Sequence, residues 1–290
     1  MSLIRDGRLG ELTPRKENTL IDASHSLGKL SWTEVRDAAQ RDPVVLLPIG
    51  AIEQHGPHLP VHEDSIVAEW AAYKVAEMVA EDVEVLVAPA LNYGHSPTFR
   101  GFAGNLSLTT ETMKVVTREI IEALVGSGFH RIVVVNNNGG NVAGVAAAAV
   151  DARRDLGVLV GHVYPWQLGY GLMRSAYDDP NKVYGHGAEP ELSAMLHIFP
   201  DQVDMSKAES GTLSHDDGWK PTNYQNAKIG DYAIDGTVFW DFSEISENGV
   251  TGDVSVASAE VGKEWVKRVM GFCAEYVREY DRNTKGGKQS

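Results

Sequence analysis

Four short apolar runs recur along the chain, each separated from the next by a longer stretch with helical spacing. They are residues 44–47 (VVLL), 83–90 (VEVLVAPA), 131–135 (RIVVV) and 158–164 (VLVGHVY). Runs of this length, rich in Val, Ile and Leu and bounded by Gly, Pro or Asn, predict strands apolar on both faces. Between them the spacing predicts helices. Residues 65–80 place Ile66, Val67 and Trp70 on one face, and residues 110–125 align Val115, Ile120, Ile121 and Leu124 before Gly126 and Gly128. An alanine-rich helix covers 142–156. A short helix over 31–41 carries a capping-box pattern, Ser31 followed three residues later by Glu34. Strands alternating with helices in this way specify an α/β fold whose parallel sheet is covered on two sides.

Beyond residue 164 the pattern loosens. Residues 183–196 read as a loop running into a helix. Residues 205–253, dense in Gly, Asp, Asn and aromatic residues, read as loops around a site. Residues 255–280 return to an amphipathic helix through Val261, Trp265, Val269, Phe272, Cys273 and Tyr276. The stripes predict Trp32, Trp70 and Trp265 in the core, and Trp166, Trp219 and Trp240, in polar loops, at a pocket. The expected organisation is an N-terminal arm over 1–30, disordered or packed on a neighbouring subunit, a single domain over 31–282 and a disordered tail over 283–290.

Composition narrows the partners. A formal charge of −14 over 290 residues argues against nucleic acid or an anionic membrane surface, both of which need a basic face. One cysteine, Cys273, excludes an intrachain disulfide and a thiolate-rich metal site, and its apolar surroundings read as core. With no leader-like apolar run and no stretch long enough to span a bilayer, the expected location is the cytoplasm.

The candidate chemistry concentrates in 44–70. Glu53, His55, His58, His62, Glu63 and Asp64 lie between the first strand and its helix. Glu53 and His55, two apart in extended backbone, point the same way, as two ligands of one metal must. Asp64, at the expected helix start, either caps backbone N–H groups or reaches a metal. The other polar clusters, His95/Arg100, Asn136–Asn141 and Tyr164/Trp166, also follow strand carboxyl ends, where α/β sheets bind ligands. They converge on a single site.

PIGAIEQHGPHLPVHEDSIVAE resembles the first signature of the creatininase family, the metal-dependent creatinine amidohydrolases and their relatives. NNNGGN is similar to the second, NGHGGN, and HGAEPELS to the third, HAGExETS. GFAGNLSL and GVTGDVSVASAEVG resemble two further blocks, so the likeness spans about 32–280. It implies a three-layer α/β/α sandwich with a mostly parallel sheet, a homohexamer, and one or two divalent cations of Zn, Mn or Fe. By position, Asp64 would bridge two metals, with Glu53 on one and His55 and Glu189 on the other. His186 would be the proton shuttle and Glu191 a carboxylate that orients it or the water. The chain departs from the family at Asn138, where a histidine is usual, and at Phe99, another histidine position. His62 and Glu63 replace small residues and stand as substitute ligands or substrate contacts.

The resemblance implies hydrolysis of a C–N bond, an amide and possibly a cyclic one, in a small polar molecule by metal-activated water. His62, Asn138, Trp166 and Tyr164 are the expected substrate contacts. The altered ligand set argues against creatinine itself. The alternatives are ring opening or hydrolysis of a cyclic polyol ketone, and a non-catalytic binding protein with a decayed metal site.

Overall fold

A computed structural model describes residues 23–286. The four apolar runs form β1 (Val44–Ile49), β2 (Val85–Val87), β3 (Arg131–Asn136) and β4 (Val160–Val163), all parallel in the order β2-β1-β3-β4. Each residue of β1 and β3 is buried, which is why these runs lack polar alternation.

Alternate residues of each strand feed two cores. Val44, Leu46, Val133 and Val135 face α2 (Glu63–Val79), joined there by α5 (Pro165–Leu172), α7 (Glu191–Ile198), α8 (Ala259–Trp265) and α9 (Gly271–Thr284). Val45, Leu47, Ile132 and Val134 face the opposite way, onto α1 (Trp32–Ala39), α3 (Thr110–Gly126) and α4 (Asn141–Leu156). The result is the three-layer α/β/α sandwich. A four-residue helix, α6 (Pro180–Val183), precedes the loop leading to α7.

With α2 on one face and α3 and α4 on the other, the winding reverses between β1 and β3. Their carboxyl ends therefore diverge into a crevice, the place where such sheets hold ligands.

Several boundaries shift. The capping box forms, with the Ser31 backbone N–H donating to Glu34 Oε2 at 2.7 Å. Trp32, expected in the core, is instead 76% exposed, and the Arg36 guanidinium lies 5.6 Å from its ring centroid. Helix α1 is short, and Ala38 is its only buried residue. A π-helical turn over Val266–Met270 separates α8 from α9. The segment 205–253 is not all loop. It holds a small antiparallel sheet of β5 (Pro221–Asn223), β6 (Asn226–Lys228) and β7 (Asp235–Thr237). Helix α9 continues to Thr284, two residues into the stretch expected as a tail. Residues 1–22 and 287–290, parts of the expected arm and tail, lie outside the described residues. Residues 23–30 form two short 3₁₀ turns, and Ser26 bridges to Val87 of β2. No helix among the described residues is long and apolar enough to cross a membrane.

Candidate active site

Three chain segments meet at the crevice, each held by its own backbone contacts. The first is the β1–α2 connection. Gly50 lets α2 approach β1 closely: a Cβ there would stand 2.3 Å from Ser65 Cα. Ser65 Oγ then donates to the carbonyls of Ala51 and Asn92, both at 2.9 Å. This seats the first turn of α2 beside Glu53 and His55. The helix begins at Glu63, two residues earlier than the spacing predicts, so Glu63 and Asp64 both lie within it.

The second segment is the asparagine run after β3. Asn141 Nδ2 donates to Gly50 O at 2.9 Å and to Asn136 Oδ1 at 3.1 Å, while its Oδ1 accepts from His95 N at 2.7 Å. Gly140 is demanded by that packing, since a Cβ would fall 1.7 Å from His95 O. The turn aims Asn138 at two carboxylates: its Nδ2 donates to Glu53 Oε2 at 2.6 Å and to Asp64 Oδ2 at 3.0 Å.

The third segment runs from His186 to Glu191. His186 N donates to Thr251 Oγ1 at 2.8 Å, and His58 Nε2 donates to Gly187 O at 2.8 Å. Gly187 N donates to Glu191 Oε2 at 2.7 Å. The His186 ring is stacked between His55 and Phe99, with centroids 4.4 and 4.3 Å away. Its Nε2 lies 2.5 Å from Gln54 O, a carbonyl that can only accept, so Nε2 carries the proton and Nδ1 is the free acceptor.

Asp64 makes no backbone cap. Trp166 Nε1 donates to its Oδ1 at 3.0 Å, and Oδ1 lies 3.6 Å from His55 Nε2. His55 Nε2 also faces Glu63 Oε2 at 3.3 Å and Glu53 Oε1 at 4.0 Å. His55 Nδ1, 3.3 Å from Glu53 O, donates to that carbonyl. A hydrogen bond of this kind turns the Nε2 lone pair toward the carboxylates, the arrangement of a metal-ligating histidine.

The electrostatics are lopsided. Glu53, Glu63, Asp64 and Glu191 are all buried, yet none of the described residues lining the cavity is Lys or Arg. Burial raises the Glu53 and Glu63 carboxyls well above the ordinary range, and it pushes Glu191 up to about 7. Burial alone would lower the His55 imidazolium, but Glu63 and Asp64 outweigh it and raise it well above its usual value. His186 is lowered well below its usual value by burial and by His55. Neither oxygen of Glu63 has a hydrogen-bond partner. A divalent cation would neutralise this cluster, and the donor set of imidazole and carboxylates suits Zn or Mn. Among the described residues, two groups have ligand atoms within 4.8 Å of one another: Glu53, His55 and His186, and His55, Glu63 and Asp64.

Glu189 does not join the cluster. It is fully buried, but its carboxylate accepts from Ser193 Oγ at 2.6 Å and from the Tyr177 hydroxyl, and Glu191 faces the cavity instead. His62, expected as a substrate contact, is the exposed residue preceding α2 and does not line the cavity. Arg100 is exposed and pairs with Asp241 at 2.8 Å. Tyr164 and Trp166 line the cavity as expected; Trp219 and Trp240 do not. Trp240 packs near Phe99 and Phe242.

The cavity above the cluster measures about 710 Å³. Its walls include Phe99, Tyr164, Tyr170, Tyr224 and Phe239. The sequence reading missed Tyr170, Tyr224 and Phe239. Their one signal was aromatic residues within or beside irregular, glycine- and asparagine-rich chain.

The creatininase (creatinine amidohydrolase) family profile matches residues 28–277. The chain belongs to the creatininase family. Its members are metal-dependent amidohydrolases acting on C–N bonds, and this chain is a hydrolase of that family. It is 31% identical over 245 residues to the mycofactocin precursor peptide peptidase of Mycolicibacterium smegmatis, covering 83% of this chain and 87% of that one. It is 30% identical over 199 residues to the creatinine amidohydrolase of Pseudomonas putida, covering 62% and 74%. A manganese form of creatininase shares the fold with a TM-score of 0.70 at 24% identity, covering 88% of this chain and 98% of that one.

Proposed function

We propose that this creatininase-family enzyme hydrolyses the amide C–N bond of a substrate larger than creatinine, peptide-like in character and carrying an apolar or aromatic group. The observation that carries the reading is the buried cluster of His55, Glu63 and Asp64 at an aromatic-walled cavity whose described lining holds no Lys or Arg. A volume of about 710 Å³ falls within the range of sites that enclose drug-sized ligands. The name of the relative from Mycolicibacterium smegmatis, a peptide peptidase, agrees with a peptide-like substrate.

A divalent cation held by the cluster supplies Lewis acidity to the scissile carbonyl and lowers the pKa of water. The chain supplies the rest. Glu191, anchored through one oxygen by Gly187 N, orients the attacking water. His186 Nδ1, the free acceptor of a ring fixed by its Nε2–H bond to Gln54 O, takes the proton and delivers it to the departing amine. Trp166 and Asn138 fix the Asp64 carboxylate from two directions. Tyr164, Tyr170 and Tyr224 surround the substrate's side chains and exclude water.

The test is a panel of short peptides with aromatic or aliphatic residues, together with creatinine and a cyclic polyol ketone. Each is assayed with enzyme loaded with manganese or zinc. Stoichiometric amine release from the peptides, exceeding that from creatinine, is the expected result. Turnover of the ketone alone, with no new amine from any amide, would overturn the reading.

A further inference from the structure

Building on the reading that the cluster holds a cation, we infer that the chain carries one tightly bound divalent cation. Its ligands are His55, Glu63 and Asp64, and the Asn138 carboxamide closes the adjoining space where a second cation would bind. Glu63 is the deciding residue. Its carboxyl is fully buried in the first turn of α2, beside His55 Nε2 and the Asp64 carboxyl, and neither oxygen receives a hydrogen bond of good geometry. Almost every buried polar group in a folded protein is satisfied, so an unpartnered buried carboxylate aimed at a histidine needs a ligand to explain it.

The spacing agrees. Two donors about 2.0–2.2 Å from one tetrahedral ion stand roughly 3.4 Å apart. His55 Nε2 lies 3.3 Å from Glu63 Oε2 and 3.6 Å from Asp64 Oδ1. The competing explanation is a plain ion pair between Glu63 and a protonated His55. A single Nε2–H of His55 faces both Glu63 Oε2 and Asp64 Oδ1 and cannot satisfy the two carboxyls at once, which leaves Glu63 without a well-formed hydrogen bond.

The neighbouring donor group of Glu53, His55 and His186 is partly occupied by contacts within the protein. Glu53 Oε2 accepts from Asn138 Nδ2 at 2.6 Å, and that same nitrogen reaches Asp64 Oδ2 at 3.0 Å. An amide with two N–H donors thus sits between the two carboxylates, where a cation bridging them would have to sit. His186 Nε2 is bonded to Gln54 O, which leaves that ring only Nδ1, and the Nε2 lone pair of His55 can serve only one ion. Asn138 holds the Glu53 carboxyl in place through Oε2, and Glu53 acts as a positioning residue and not as a ligand of the tight site.

The measurement is metal content by elemental analysis. Protein is stripped with chelator, incubated with excess manganese or zinc, and desalted. Wild type, Glu63→Gln and Glu53→Gln are compared, with the melting temperature of each metal-free form as the folding control. About one ion per chain is expected for wild type and Glu53→Gln. Glu63→Gln should lose its ion on desalting, while its metal-free form melts no lower than wild type, because an unpartnered carboxylate has been neutralised. Two retained ions in wild type, or retention by Glu63→Gln with loss by Glu53→Gln, would overturn the inference and leave the metal-hydrolase reading standing. No retained ion in any form would remove both.

Discussion

The two ends of β3 bury charge in opposite ways. At its amino end Arg131 is 1% exposed, with Nη1 2.5 Å from Asp281 Oδ1 of α9 and Nε 3.2 Å from Asp42 Oδ2. Its charge is matched by two carboxylates, although Nε and Nη2 make no hydrogen bond of good geometry, and the ion pairs tie α9 and the α1–β1 turn to the sheet. At the carboxyl end, four carboxyls converge with imidazoles, amides and the Trp166 indole for company and no Lys or Arg in the described cavity lining. Burial raises Glu53, Glu63 and Glu191, and His55 is the one titratable cation opposing it, where Arg131 has two carboxylates beside a permanent charge. A chain that pairs buried charge at one end of a strand and leaves it unpaired at the other marks the second as the place where an ion from outside completes the balance.

Substitutions at the two ends should therefore fail in different ways. The largest effect belongs to Asp64→Asn. It keeps the side chain's shape but removes a charge and sets an NH₂ against either the Asn138 or the Trp166 donor, so bound metal should fall and turnover drop by about 10³-fold or more, as expected when several kcal/mol of transition-state stabilisation is lost. Elemental analysis and single-turnover kinetics on one preparation check it; unchanged metal content would mean Asp64 is only structural. At the other end, Arg131→Met should lower stability by about 3–5 kcal/mol by stranding Asp281, with metal per chain unaltered. Denaturant unfolding checks this, and a matching loss of metal would erase the distinction between the two ends.

A smaller loss is expected from His186→Asn. Turnover should fall by about 10²-fold through the missing proton carrier, with metal content and melting temperature retained. Loss of metal from this variant would make His186 a ligand. The smallest effect should come from Ser31→Ala, at an exposed cap remote from both ends. Losing the cap should cost about 1 kcal/mol and change neither metal content nor rate.

How much of this was legible in the sequence follows the same division. The four strands, the helices between them and the convergence of Glu53, His55 and Asp64 at one crevice follow from apolar runs and their punctuation. Parallel strands buried on both faces leave an unmistakable pattern. The small sheet of β5, β6 and β7 left no such trace, because each strand is three residues long and only Ala227 among them is buried. Trp32 falls on a helical stripe, but α1 is too short to bury its first residue. The choice between Glu189 and Glu191 could not be read from two carboxylates two positions apart. It depends on Tyr177 and Ser193, which claim Glu189, and on Gly187, which turns Glu191 inward. Glu63 stood out beside Asp64 as an unusual acid. Its burial without a hydrogen-bond partner is a tertiary fact, set by the helix starting two residues early.

The most direct test of the account is to titrate metal-free enzyme with manganese while recording turnover of its best amide substrate. The stripped protein should stay folded and inactive. Activity should then rise linearly and saturate at about one equivalent per chain. Full turnover from protein shown by elemental analysis to hold no metal would contradict the claim that the unpaired carboxylates at the carboxyl end of the sheet exist to hold a catalytic cation.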